Sequence, residues 1–240
     1  MNFKKFDIII VSNGYSDKLR ASLYYWMLMN YSKANYRVIV ATSSKDKATL
    51  ECLSSYQERS YGSLIVVPHV GNNYHNKGLL MSECCKIAQN TKSDLTMFTD
   101  ADMIFYPDLL VRLSLSYLEN GMQLTSSTRE DIDPEDLDLF MENYSRNNVG
   151  WIWDNVKRKI ESPSPFMGWF LVFPSSIREN LDFNEDHSGY DIVDWKMFGQ
   201  LKNMGLKENM IHLDNSPLHI HHGPKGANWR GLNFIDDINA

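Results

Sequence analysis

Short apolar runs alternate with stretches of helical periodicity through the first half of the chain. Phe6–Val11 is near-continuously apolar and β-branched, the pattern of a strand covered on both faces. Ser12-Asn13-Gly14-Tyr15 supplies turn chemistry after it, and Ser16 or Asp17 stands where a helix cap is needed. Leu19, Leu23, Trp26 and Met27 then recur at helical spacing. The cycle repeats with a strand at Tyr36–Ala41 and a helix carrying Ala48, Leu50 and Leu53. It repeats again with a strand at Leu64–Val67, a polar loop at Gly71–Lys77 and a helix from Gly78 to Asn90. A fourth strand is predicted at Leu95–Thr99. Alternation of this kind predicts an α/β fold with a mostly parallel sheet and right-handed crossovers.

The second half reads differently. A helix is predicted over Pro107–Asn120, with proline at a start where its missing N–H costs nothing. Strands are predicted at Met122–Ser126 and Phe166–Phe173, the latter interrupted by Gly168. Glu130 to Asp138 is densely acidic and reads as a solvated loop and helix start. Trp151 and Trp153 flank Ile152 and serve either as core or as a platform on which sugars stack. No linker divides the chain, so residues 1–240 are expected to form one domain.

Composition narrows the function classes. The chain has 240 residues, is 43% hydrophobic and 22% charged, and so folds as an ordinary globular protein. A formal net charge of -6 and a pI near 5.6 argue against a nucleic-acid partner, which requires a basic face. An odd cysteine count, with Cys84 and Cys85 adjacent, argues against a disulfide framework and for a reducing, cytoplasmic setting. No apolar run reaches membrane-spanning length, which leaves peripheral membrane association open.

The candidate chemistry gathers where strands end. In a parallel sheet, ligands bind outside the carboxyl ends of the strands. The loops there are Ser12–Tyr15, Thr42–Ser44, Val70–Lys77 and Asp100–Asp102. They offer Asn13, Tyr15, Lys77 and the carboxylates Asp100 and Asp102. Two carboxylates spaced i, i+2 at a strand end lie on one side of the chain and repel each other unless a cation sits between them. Hard divalent ions take such oxygen ligands and keep positions open for phosphate oxygens. The pair therefore reads either as a metal–diphosphate site or as a solvated turn in which Asp102 caps the next helix. There is no G-x-G-x-x-G after the first strand and no G-K-[ST] loop, which excludes a dinucleotide fingerprint and a P-loop. Late in the chain, Pro217-Leu-His219-Ile-His221-His222-Gly223-Pro-Lys225 puts His219 and His221 on one face of a strand. These are ligands suited to Mn²⁺-type sites, with a structural, hydrogen-bonded histidine as the alternative for at least one of them.

Taken together these segments resemble the GT-A fold of nucleotide-sugar glycosyltransferases. Asp7-Ile-Ile-Ile-Val-Ser-Asn13 is similar to the opening of the inverting family 2, and Asp100-Ala-Asp102 to the D-x-D element of the fold. His75-Asn76-Lys77-Gly78-Leu79-Leu80 is similar to the F-N-R-x-x-L stretch of the β1,4-galactosyltransferase and polypeptide N-acetylgalactosaminyltransferase groups. Gly189-Tyr-Asp191-Ile-Val193-Asp194, with Leu201 after it, is similar to their G-G-E-D-D-D-L-x-x-R-L. The chain departs from those patterns at Val193, at Gln200 and at Thr42-Ser43-Ser44, where the families carry glutamate, arginine and acidic residues.

The resemblance implies a metal-dependent, inverting hexosyltransferase of polysaccharide biosynthesis. It would use Mn²⁺ or Mg²⁺ and a nucleoside-diphosphate sugar, UDP preferred, with a glycan or other hydroxyl-bearing acceptor. Asp102 would bind the metal directly, and Asp100 through water or by holding the ribose. Asp194 would be the base, with Asp191 as the rival. His221, with His219 next and His222 third, would complete the metal site. Lys225 would pair with the diphosphate, and the tail beyond Gly226, including Trp229, would form a lid. Residues 1–120 would hold the donor, and residues 121–240 the acceptor and the lid. A sugar nucleotidyltransferase is a second reading, and a non-catalytic glycan-binding module with structural Ca²⁺ a third.

Overall fold

A computed structural model describes residues 3–60, 63–71, 76–90, 92–121, 123–132, 136, 139, 142–143, 151–156, 158–161, 170–183 and 190–220, with backbone alone at 158–161 and 190–192. The first half follows the predicted alternation: β1 (Phe6–Val11), α1 (Ser16–Met27), β2 (Tyr36–Ser43), α2 (Lys47–Gln57), β3 (Leu64–His69), α3 (Lys77–Gln89) and β4 (Leu95–Asp100). β3 runs two residues further than its apolar run, through Pro68. It is an edge strand, where a missing N–H is tolerated. β1 pairs in parallel with β2 and β4, and β2 in parallel with β3.

The sheet then widens in a way that periodicity does not show. After β5 (Met103–Ile104) and α4 (Leu109–Asn120) come β6 (Gln123–Ser126), β7 (Arg129–Ile132), α5 (Trp151–Asn155), β8 (Arg158–Glu161) and β9 (Phe170–Pro174). A 3-10 helix (Ser175–Asn180), α6 (Tyr190–Asn203), β10 (Lys207–Met210) and β11 (Leu218–Ile220) complete the described chain. The main sheet has seven strands in the order β10-β6-β9-β4-β1-β2-β3, with β9 antiparallel to both neighbours. A second sheet, β5-β11-β7-β8, stands at the carboxyl end of β4. The fold is α/β, with a mostly parallel central sheet flanked by helices and a mixed C-terminal half.

Alternation along β1 explains how both faces are covered. Ile8 and Ile10 face Leu19, Leu23 and Trp26 of α1, while Ile9 faces Leu80, Cys84 and Cys85 of α3. Full burial of one such side chain contributes about 1.5–3 kcal/mol. A third cluster joins the second sheet to the back of α1 through Tyr25, Ile104, Trp153 and Leu218. Trp153 is buried there, donates from Nε1 to the Ser216 carbonyl at 3.0 Å and meets Tyr25 and Tyr106 edge-on. Trp151 packs half-buried against the same cluster. The pair is therefore not an exposed stacking platform, because the second sheet needs these rings to close its own core. Cys52, Cys84 and Cys85 are free thiols. Among the described residues no helix is long and apolar enough to cross a membrane.

Candidate active site

The loops at the carboxyl edge are tied to one another before any ligand is considered. Asn13 accepts at Oδ1 from Ser43 N at 2.7 Å, joining the turn after β1 to the end of β2. Asp46 caps α2 by accepting from Thr49 N at 3.1 Å and also accepts from Gly14 N at 2.7 Å. Tyr15 is half-buried at the start of α1, and its ring lies 5.0 Å from Lys18 Nζ. Neither Ser16 nor Asp17 supplies a side-chain cap to that helix, whose capping position falls on Tyr15 itself.

Lys77 occupies the centre of this edge. It is the first residue of α3, directly after Asn76, which caps the helix by accepting from Leu79 N at 3.0 Å. Gly78 brings α3 against the segment before α6 so closely that a Cβ there would meet the Phe183 carbonyl oxygen at 2.0 Å. Held in this way, Lys77 is only 7% exposed, and its ammonium lies 3.0 Å from Asp100 Oδ1 and 3.0 Å from the Asp194 carboxylate. Burial alone would depress its pKa, but the charges of Asp100 and Asp194 and the hydrogen bonds to them outweigh it and raise it. One cation thus brings the end of β4 and helix α6 together, placing the two carboxylates within about 6 Å of each other.

Asp194 lies beside the buried stripe of α6, which is formed by Val193, Met197 and Leu201. The helix turns the next residue outward, and Trp195 is 53% exposed. Asp191 belongs to α6, but its side chain lies outside the described residues.

The second sheet places the other half of the site. β11 lies between β5 and β7, pairing His219 with Met103 on one side and with Asp131 on the other. The Ile220 N–H donates to the Asp102 carbonyl at 2.8 Å, fixing the turn after β4 to this sheet. His219 Nδ1 lies 2.8 Å from Asp131 Oδ1, and its Nε2 lies 3.4 Å from Asp102 Oδ2, with all three side chains buried. Burial works against a charged ring, but Asp102 beside it and the hydrogen bonds to Asp102 and Asp131 push its pKa up to about 9. Asp131 corrects the solvated-loop reading over residues 130–132, for it is a buried strand residue that orients a histidine, while residues 133–135, 137 and 138 lie outside the described residues. It was missed because β7 is four residues long and shows no apolar alternation.

Asp102 does not cap the following helix, whose capping position falls on Asp108. Among the described residues no three His, Cys, Asp or Glu side chains form a preformed metal site. Asp100 is drawn towards Lys77 and Asp102 towards His219. Asp102 and His219 Nε2, 3.4 Å apart, offer one oxygen and one nitrogen donor, a mixture that suits Mn²⁺ better than Ca²⁺. A metal at His219 Nε2 requires that nitrogen to be deprotonated. His221, His222, Lys225 and Trp229 lie outside the described residues.

No protein-family model and no curated protein matches the chain. Solved structures do. S. aureus TarS 1-349 superposes with a TM-score of 0.64 at 11% identity, over 90% of this chain and 60% of that one. The mannosyltransferase PcManGT from Pyrobaculum calidifontis, solved with GDP-Man and Mn²⁺, gives 0.63 at 14% identity over 95% and 59%. TarS 1-349 with UDP-GlcNAc gives 0.61 at 11% identity over 92% and 60%. The chain has the GT-A glycosyltransferase fold. It spans about 60% of the length of these structures. Asp100 closes the central strand β4, and Asp102 lies in the turn that follows it.

Proposed function

We propose that this chain is a metal-dependent, inverting glycosyltransferase. It moves a hexose or N-acetylhexosamine from a nucleoside-diphosphate sugar, UDP preferred, to a hydroxyl of a glycan or other acceptor. The single observation that carries the reading is the Lys77 bridge, which joins the first carboxylate of D-x-D to Asp194 with two 3.0 Å contacts. Direct displacement at an anomeric carbon needs a carboxylate on the acceptor side and charge stabilisation on the leaving-group side, only a few ångströms apart.

Asp194 accepts the proton of the acceptor hydroxyl as its oxygen attacks. Its carboxylate is held in place by Lys77 at 3.0 Å. Asp100 and Asp102 would hold the divalent cation, with His219, or His221 beyond the described residues, as a further ligand. When bound, the cation acts as a Lewis acid on the leaving diphosphate. Asp131 holds His219 Nδ1 and thereby directs Nε2 towards Asp102. Trp195, exposed beside the base, offers an aromatic face to an acceptor ring. Residues 1–120 form the donor half and residues 121–240 the acceptor half of one unit.

Two substitutions test this together. Asp194→Asn should keep nucleotide-sugar binding while lowering transfer by about 10²–10⁴-fold. Asp102→Asn should abolish Mn²⁺-dependent donor binding. Near-normal transfer by Asp194→Asn removes it as the base. Proton NMR of the product anomer tests inversion separately, since a retained configuration rules out direct displacement.

A further inference from the structure

The central ammonium of the site sits where a metal must draw on the same carboxylate. Lys77 lies 3.0 Å from Asp100 Oδ1, and Asp100 is the more exposed of its two partners, at 36% against 17% for Asp194. A lysine in the first turn of a helix is also placed against the helix dipole, which favours anions there. Asn76 caps α3 without help from Lys77, so the helix does not need this side chain. What does need it is the pair of carboxylates from β4 and α6, which would otherwise repel each other across the cleft.

We propose that Lys77 is an exchangeable counterion. Without metal it bridges Asp100 and Asp194, offsetting one of their two charges, and keeps the donor and acceptor halves in register. When a divalent cation and a nucleoside diphosphate arrive, the cation takes Asp100 and the ammonium turns to a phosphate oxygen while still holding Asp194. The inference rests on the metal–diphosphate reading of the site.

Three physical features favour exchange over a fixed strut. An ammonium is a compact charge with three donors on a flexible stem, so it can trade one acceptor for another without moving the helix. A divalent ion outcompetes a single positive charge for one carboxylate at the same distance. The anion that replaces Asp100 arrives with the cation, so Lys77 stays paired throughout. Metal and nucleotide therefore bind cooperatively, and Lys77 carries part of the coupling. The base feels the exchange directly, because the same ammonium fixes Asp194.

The test is a Mn²⁺ titration followed by the electron paramagnetic resonance signal of free Mn²⁺. It is run without nucleotide, with UDP and with GDP, on wild type, Lys77→Met and Lys77→Gln. Melting temperatures identify any variant that does not fold, and Lys77→Gln, which retains a hydrogen bond, stands in if Lys77→Met fails. Exchange predicts opposite signs. Mn²⁺ alone binds the neutral variants about tenfold more tightly than wild type, while the tightening conferred by nucleotide shrinks by a similar factor. Lys77→Arg keeps the charge and restores the wild-type pattern. A strut makes both affinities fall together with the melting temperature, and that result overturns the exchange, as does an unchanged Mn²⁺ affinity. Failure of wild type to bind Mn²⁺ with or without either nucleotide overturns the metal–diphosphate reading itself.

Discussion

A Cβ at Gly78 would lie 2.0 Å from the Phe183 carbonyl oxygen, a backbone atom with little freedom to withdraw. Gly78→Ala therefore has to push the start of α3 away from the chain entering α6. Overpacking of this kind costs about 1–3 kcal/mol. The displaced residue is the neighbour of Lys77, so the shift also opens the Lys77–Asp194 contact. Thermal melts should show a fall in stability, and transfer measured below the melting temperature should fall with it, while Leu79→Ala one position on should spare transfer. Nothing local in the sequence marks Gly78 as obligatory, because the clash is with a residue 105 positions away. Asp131 was hidden for a related reason. Its acidic neighbours suggest solvent, and only the pairing of β7 with β11 turns it inward towards His219. Asp100 and Asp102 were legible because their spacing at a strand end is itself the chemical signal.

The strands that were legible are those whose environment is uniform. β1, β2 and β4 are covered on both faces, so nearly every position is buried and the apolar residues within each strand mark it. β5, β7 and β8 are two to four residues long and owe their existence to pairing with distant chain. One charge within β1 breaks its apolar pattern and is informative for that reason. Asp7 is fully buried at the amino end of the strand, where it meets Arg37 of β2, Arg178 at 2.9 Å and Ser93 Oγ at 2.6 Å. Arg178 also donates to Thr96 Oγ1 of β4 at 3.1 Å. The cluster clamps three strands and the 3-10 helix at the edge opposite the candidate site. Removing one partner from a buried ion cluster costs about 3–5 kcal/mol, since the remaining charges stay buried. Asp7→Asn should accordingly lower the denaturation midpoint strongly, with metal-dependent donor binding by the folded fraction unchanged. Loss of binding in a folded Asp7→Asn protein would show that the two edges of the sheet are coupled.

At the scale of the molecule, the site is a seam between two sheets. The main sheet delivers Asp100, the second sheet delivers His219 and Asp131, and Asp102 lies in the turn where one passes into the other. A ligand that spans this seam engages both sheets and binds the native state alone, so its binding free energy adds to global stability. At a concentration one hundred times its dissociation constant it contributes about 2.7 kcal/mol. For a chain of this size that raises the melting temperature by about 5–10 °C. UDP-, GDP- and dTDP-sugars, each with Mn²⁺ and with EDTA, should therefore separate sharply. One nucleotide class should raise the melting temperature with Mn²⁺, and EDTA should return it to the value of the free protein. A shift that survives EDTA would place the donor outside the D-x-D seam. No shift with any of the three would count against a nucleotide-sugar donor. The size of the shift also bears on the Lys77 bridge. In wild type part of the binding energy goes into separating Lys77 from Asp100, so Mn²⁺ alone should move the melt much less than Mn²⁺ with nucleotide. That difference should narrow in Lys77→Met, where there is no ammonium to displace and none to pass to the phosphate.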